Sequence, residues 1–264
     1  MCLIGIAWKA HPDFPLIVTA NRDEFHARAT APSVWWRDAP HLLAGRDLQS
    51  GGTWMGITRQ GRFAALTNVR DSGGQLAQAP TRGALVADFL CGDFPPASYA
   101  ARLAAHAGHY NGFNLLAGTP EQLWYGGNRG AASQALSPGI YGLSNALLDT
   151  PWPKVTSLKT ALGAALGGMV AEGPLQSRVS GLLPALFSAL GSPHPAPEAL
   201  LPHTGVPLER ERALSAALII APVYGTRAST VLCVARDGAV VWEERSITPE
   251  GRVAHTVREQ FQLA

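Results

Sequence analysis

The second residue of the chain, in Met1-Cys2-Leu3-Ile4, is a cysteine. Methionine aminopeptidases act where residue two is small, and cysteine qualifies. Loss of Met1 would leave a thiol and a free α-amine on one residue. An α-amine with a pKa of about 8 accepts a thiol proton directly or through a water, so nucleophile and base would come from the same residue. A buried, inert cysteine is the competing reading of the residue type. Next comes Asn21-Arg22-Asp23-Glu24, directly after an apolar run. Continued as a strand, it sends Asn21 and Asp23 to one face and Arg22 and Glu24 to the other. The spacing leaves open which pair faces Cys2, and Arg22 and Asp23 are the candidates. A surface ion-pair cluster would also explain four such residues. Asn68 and Asn145 end two strand-like runs, Leu-Thr-Asn-Val and Leu-Ser-Asn-Ala. Their amides could donate to a developing oxyanion, a role whose loss costs about 3 kcal/mol of barrier. Arg227 stands before a late apolar run, where it could lower a thiol pKa or clamp a carboxylate.

Other chemistries find little support. Eight histidines are scattered without HExxH or another ligand spacing, so no metal is expected. Gly51-Gly52 lacks the pattern of a phosphate loop. Cys2, Cys91 and Cys233 are distant and odd in number, which speaks against disulfides and for a reducing, cytoplasmic setting. Cys91 and Cys233 read as buried packing residues. Trp35, Trp36 and Trp54 suit either the core or the wall of an apolar ligand site. A net charge of +2 with no basic run argues against a nucleic-acid partner. The opening has no basic n-region, and no stretch approaches the roughly 20 apolar residues of a spanning helix.

The elements that would position these residues follow from the pattern. Leu3–Ala7 and Leu16–Thr19 read as a hairpin turning at His11-Pro12-Asp13. Gly52–Ile57 and Phe63–Val69 read as a second pair. A helix capped by Thr81 runs to Leu90 and stops at Gly92. Asn111–Gly118, Gln122–Gly126 and Ile140–Asn145 read as strands. Pro153 opens a helix to about Val170, and Ser177–Leu190 continues in helical style. Residues 191–212 read as a long loop, and strands at Leu214–Ala221, Ser229–Ala235 and Ala239–Glu244 close the chain. Strands, then helices, then strands, without regular alternation, predict an α+β fold with antiparallel sheets. No linker or repeat divides residues 1–264, so one domain is expected.

Several blocks in order carry a resemblance: the opening Met-Cys, Asn21–Glu24, Leu43–Asp47, Gly51–Gly56, Leu66–Arg70, Tyr141–Asn145, Leu201–Val206, Glu211-Arg212 and Tyr224–Thr230. Together they resemble the NRDE-motif, or transport and Golgi organisation, family across nearly the whole chain. That resemblance implies the four-layer αββα sandwich of the N-terminal-nucleophile hydrolases. Bile-salt and penicillin V hydrolases of that kind also open with Met-Cys. They place an aspartate against the nucleophile's amine, an arginine beside the thiolate, asparagines in comparable contexts, and a late arginine nearby. The order Asn-Arg-Asp-Glu departs from their Arg-Asn-x-Asp, so the pair facing Cys2 is not fixed by the likeness.

Two functions follow as expectations. One is a cysteine amidohydrolase acting on a non-peptide C–N bond of a small apolar or acyl molecule, with no cofactor required. Its site would gather Cys2, Arg22, Asp23, Asn68, Asn145 and Arg227, with the thiol pKa lowered by Arg22 or Arg227. The other is a non-catalytic protein binding haem or a lipid or acyl-CoA, as the family's links to haem and lipid metabolism imply. Cys2, His26 or His203 would then ligate iron.

Overall fold

The computed structural model describes residues 2–70, 76–130, 133–169 and 174–264. In chain order the strands are β1 (Cys2–Trp8), β2 (Leu16–Phe25), β3 (Thr30–Trp35), β4 (Leu42–Asp47), β5 (Met55–Thr58) and β6 (Phe63–Asn68). Helices α1 (Gly83–Cys91) and α2 (Pro96–His106) precede β7 (Phe113–Gly118), β8 (Leu123–Gly127), β9 (Gln134–Ala135) and β10 (Gly139–Leu143). Four helices follow: α3 (Pro153–Gly167), α4 (Leu175–Ser180), α5 (Leu182–Leu190) and α6 (Leu208–Leu214). Strands β11 (Tyr224–Val234), β12 (Ala239–Ile247) and β13 (Val253–Gln262) complete the described elements. All named strand pairs are antiparallel, as the sequence pattern predicts.

Two compact units emerge. The first comprises Met1–Ala27, Pro138–Ser144 and Leu148–Gln262. Its sheet runs β10-β1-β2-β11-β12-β13. Leu3, Ala7, Ile17, Val231, Cys233 and Val241 on one face pack against Val155, Leu158 and Leu162 of α3 and Leu182, Leu186 and Leu190 of α5. The helix comes very close to the sheet at two glycines. A Cβ on Gly142 would stand 2.6 Å from Val155, and one on Gly5 would stand 3.1 Å from Leu158. All seven residues of β1 are buried, which explains its unbroken apolar run.

The second unit comprises Arg28–Ser137, Asn145–Leu147 and Leu263–Ala264, with sheet order β3-β4-β5-β6-β7-β8-β9. Leu85, Val86, Phe89 and Leu90 of α1 and Tyr99 and Leu103 of α2 pack on Ala64, Leu66, Phe113, Leu115 and Ala117. Trp36 joins this core and donates its ring N–H to Ala44 O. Trp35 instead lies against Arg59, whose guanidinium is 3.8 Å from its ring.

Several expectations need correction. Leu214–Ala221 is no strand: α6 ends there, and a tight hairpin follows with a single bridge from Ile220 to Gly225. The expected loop at 191–212 contains a short 3-10 turn and most of α6. Ser177–Leu190 is broken at Gly181. Thr81 does not cap α1, which has no side-chain cap. Val170, the expected end of α3, lies outside the described residues. Cys91 is exposed rather than buried, because the apolar stripe of α1 runs through Leu85, Val86, Phe89 and Leu90 and leaves Cys91 on the opposite side. Cys233 is fully buried, as expected, and burial pushes its thiol up to about 12.

In the chain that retains Met1, iodoacetamide at mildly alkaline pH should therefore label Cys91 first. Cys233 should react only in denaturant. Peptide-resolved alkylation over time checks this, and Cys233 labelling as fast as Cys91 in the folded chain would contradict the packing described.

Candidate active site

The NRDE segment completes β2, so its side chains alternate between the two faces of the first unit's sheet. Strand β1 pairs with β2 so that Cys2 lies directly opposite Arg22. Directly paired residues share a face, which places Arg22, and Glu24 two residues on, on the side of Cys2. The Arg22 guanidinium lies 4.0 Å from the Glu24 carboxylate. On the other edge of β1, Ser144 donates its hydroxyl to Cys2 O at 2.9 Å. The first residue of the strand is thereby tied on both sides.

Asn21 and Asp23 take the opposite face. Asn21 is fully buried, and its amide donates to Leu190 O at 2.9 Å and Ala217 O at 2.8 Å. Its Oδ1 accepts from the Ser229 hydroxyl at 2.6 Å. This residue closes the end of α5 onto the sheet, a structural task. Asp23 is also buried, with Oδ1 accepting from the Thr226 hydroxyl at 2.7 Å. Thr226 in turn accepts from Ile219 N, and Tyr224 donates its hydroxyl to Asp23 O. Burial raises the Asp23 carboxyl above its ordinary range; the buried Lys154 cation of α3, the Thr226 bond and Arg22 act the other way without overcoming it.

Arg227 is the extra residue of a β-bulge. Thr226 pairs with Asp23 and Ala228 with Arg22, which leaves Arg227 unmatched in the ladder. Its guanidinium donates to Phe25 O and His26 O, both at 3.0 Å. Burial lowers its pKa, and the neighbouring Arg22 charge adds to that effect while Glu24 opposes it. Arg22 and Arg227 therefore come near one another at this strand end.

Burial pushes the Cys2 thiol up, and the Asp23 charge adds to the rise. Arg22 and the backbone N–H of Asp23 pull it down, but less. A thiol held below its ordinary value was expected, and in a chain that still carries Met1 this is corrected. A side chain with only 7% of its surface exposed loses more solvation than the terminal amine and the Arg22 guanidinium together restore.

Asn68 and Asn145 belong to the second unit. There the Asn145 amide donates to Asn68 O at 2.8 Å, and Arg70 N donates to Asn145 O at 2.7 Å. Asn114 supports this strand end by donating to Thr67 Oγ1 and Ala146 O, while Tyr125 donates its hydroxyl to Asn114 Oδ1. His26 makes a 2.9 Å contact with Ala221 O through Nε2, and His203 is exposed on its loop. Among the described residues no group of three or more His, Cys, Asp or Glu could hold a metal ion.

Sequence reading missed Thr226, Ser144 and Lys154. The first two sit inside the quoted blocks Gly225-Thr226-Arg227 and Leu143-Ser144-Asn145, and would have been found by asking what a buried Asp23 or a strand-starting Cys2 must bond to. Lys154, following a helix-opening proline, carries no sequence signal.

Comparison with known proteins matches this architecture. Penicillin V acylase from Agrobacterium tumefaciens is similar in structure, with a TM-score of 0.54 at 8% identity, covering 99% of this chain and 86% of that one. The fold is accordingly α+β of the N-terminal-nucleophile hydrolase type, as the sequence resemblance implied. In sequence, the transport and Golgi organization protein 2 homolog of Bos taurus is 39% identical over 263 residues, covering 94% of this chain and 93% of its own. The Homo sapiens homolog is 37% identical over 262 residues, with the same coverage. The family model described as transport and Golgi organisation 2 matches residues 1–249. The chain belongs to the transport and Golgi organisation 2 family.

Proposed function

We propose that the chain, once Met1 is removed, is a cysteine N-terminal-nucleophile hydrolase cleaving a non-peptide amide of a small apolar or acyl substrate. The hydrolase-type fold supplies the scaffold. The observation that carries the reading is the position of Cys2: first in β1, beside Arg22 on one face, and in reach of the Asp23 backbone N–H. Removing Met1 would create an α-amine on a residue whose backbone is held by β2 and by Ser144.

In the proposed reaction the Sγ proton passes to the α-amine, directly or through one water. The thiolate attacks the amide carbon, and Sγ–C forms as the carbonyl electrons move to oxygen. Collapse of that intermediate breaks C–N, and the ammonium returns its proton to the leaving amine. Water then adds to the thioester with the α-amine as base, releasing the carboxylic acid and restoring the thiol. Arg22 favours the thiolate, and Asp23 would hold the α-ammonium through its buried carboxylate. Asn68 and Asn145 enter as oxyanion donors on the strength of their sequence settings alone.

A panel of acyl-amides tests this, together with intact mass. The mature chain should lack Met1, and turnover of at least one amide should fall on the order of 10³-fold or more on Cys2→Ser. Retained Met1 on a chain that still turns over, or turnover indifferent to Cys2→Ser, would sink the mechanism. Absence of turnover on every amide, with haem or an acyl ligand bound instead, would assign the fold to binding.

Asp23 gives a second test. A carboxyl raised on folding stabilises fully below the ordinary carboxylate range, and that contribution is lost as pH rises through the folded value. The melting temperature of Asp23→Asn should therefore rise relative to the parent between about pH 4 and about pH 7, while turnover falls. A variant that instead loses ground to the parent over that range would show Asp23 to be a stabilising charge.

A further inference from the structure

The chain from Leu218 to Tyr224 is apolar throughout, Leu-Ile-Ile-Ala-Pro-Val-Tyr, and its first half belongs to the stretch Leu214–Ala221 that reads as a strand. It forms a hairpin tip instead. Ile219 is buried and anchored to Thr226 by two hydrogen bonds, whereas Ile220, Pro222 and Val223 turn outward. Val223 is 68% exposed, Phe25 of the adjoining strand end 51%, and Ile220 47%. An outward run of this kind is a defect in a soluble surface unless something covers it.

Part of the backbone of the tip is already bonded. Val223 O accepts from His26 N at 3.0 Å, Ala221 O is met by His26 Nε2 at 2.9 Å, and Pro222 has no N–H. These groups would not need water if the tip entered a medium poor in hydrogen-bonding partners. Its base is firm. The Phe25 ring meets Tyr224 edge-on at 5.2 Å, Gly251 abuts Ile220, and Arg227 grips the carbonyls of Phe25 and His26.

We propose that this hairpin tip, with Phe25, is a docking element for a lipid surface, whose apolar side chains enter the interfacial layer while the unit stays outside. Size favours lipid over protein. Three side chains offer a few hundred Å² at most, whereas a stable protein interface takes about 800 Å² from each partner. A bilayer interface accepts a small apolar tip, with strength set by the apolar area entered. The charges around the base are mixed, Arg227 and Arg252 with Glu24 and Glu250, so insertion rather than attraction to anionic headgroups drives binding. The tip stands at the end of β2 that carries Arg22, which would bring Cys2 to lipid-borne substrates. The docking itself does not depend on the hydrolase reading.

Flotation with vesicles of phosphatidylcholine alone, and of phosphatidylcholine with phosphatidylserine, tests the proposal on the full chain. The parent should float with both, and binding should change little between about 0.1 M and about 0.5 M salt. Phe25→Ser should weaken binding about tenfold, and Val223→Asp by at least that much. Unchanged melting temperatures would show that these exposed substitutions leave the fold intact. A parent that fails to float, a Val223→Asp variant that floats equally well, or binding abolished by salt would each overturn it. So would a parent dimer in solution that Val223→Asp converts to monomer, which would assign the tip to a second copy of the chain.

Discussion

Directly paired residues of an antiparallel ladder project to the same side, so the pairing of Cys2 with Arg22 sorts every polar group around the thiol. A slip of β2 by one residue would bring Asn21 or Asp23 to that face and turn Ile17 away from the α3 and α5 core. The register is held from the opposite face by Asn21. That amide joins β2 to the last residue of α5, to Ala217 and, through Ser229, to β11. One buried asparagine thus fixes where its neighbours Arg22 and Asp23 point.

The bulge at Arg227 is the second half of this arrangement. It moves β11 by one residue, so that Thr226 meets Asp23 while Ala228 meets Arg22. Without the extra residue, the hydroxyl that bonds Asp23 would be out of step with its partner. Bulges gather where a strand must re-aim a side chain, and here two charged groups and a threonine are placed at one strand end. Burial raises the pKa of both Cys2 and Asp23. Their neutral forms are favoured although Arg22 acts on both and Lys154 on Asp23, because burial outweighs those charges.

The sequence carried the face alternation of Asn21–Glu24, the opening hairpin and the antiparallel character of the sheets, because each depends on a local period. It did not carry β13, where Val253-Ala254-His255-Thr256 are all exposed and no apolar alternation survives. Strand β3 was lost to Pro32 and an irregular register, and β4 to its short, half-polar run. Helix α2 was missed because its Ala-rich stretch hides the stripe of Tyr99 and Leu103. The misreading of Leu214–Ala221 has a different cause. An apolar run signals burial and not the element that is buried: Leu214, Ala216, Leu218 and Ile219 are all buried, yet they lie at the end of α6 and in the turn that follows it. Lys154 and the roles of Thr226 and Ser144 depend on tertiary contacts that no spacing encodes.

The account rests on Cys2 becoming a nucleophile only when it is the first residue. The most direct measurement compares the chain beginning at Cys2 with the chain retaining Met1, each exposed to an activated acyl ester and analysed by intact mass and peptide mapping. The account predicts an acyl adduct on Cys2 in the shorter chain that appears and decays with time, and little or none in the longer one. Equal acylation of Cys2 in both chains, or acylation of Cys91 alone, would contradict it.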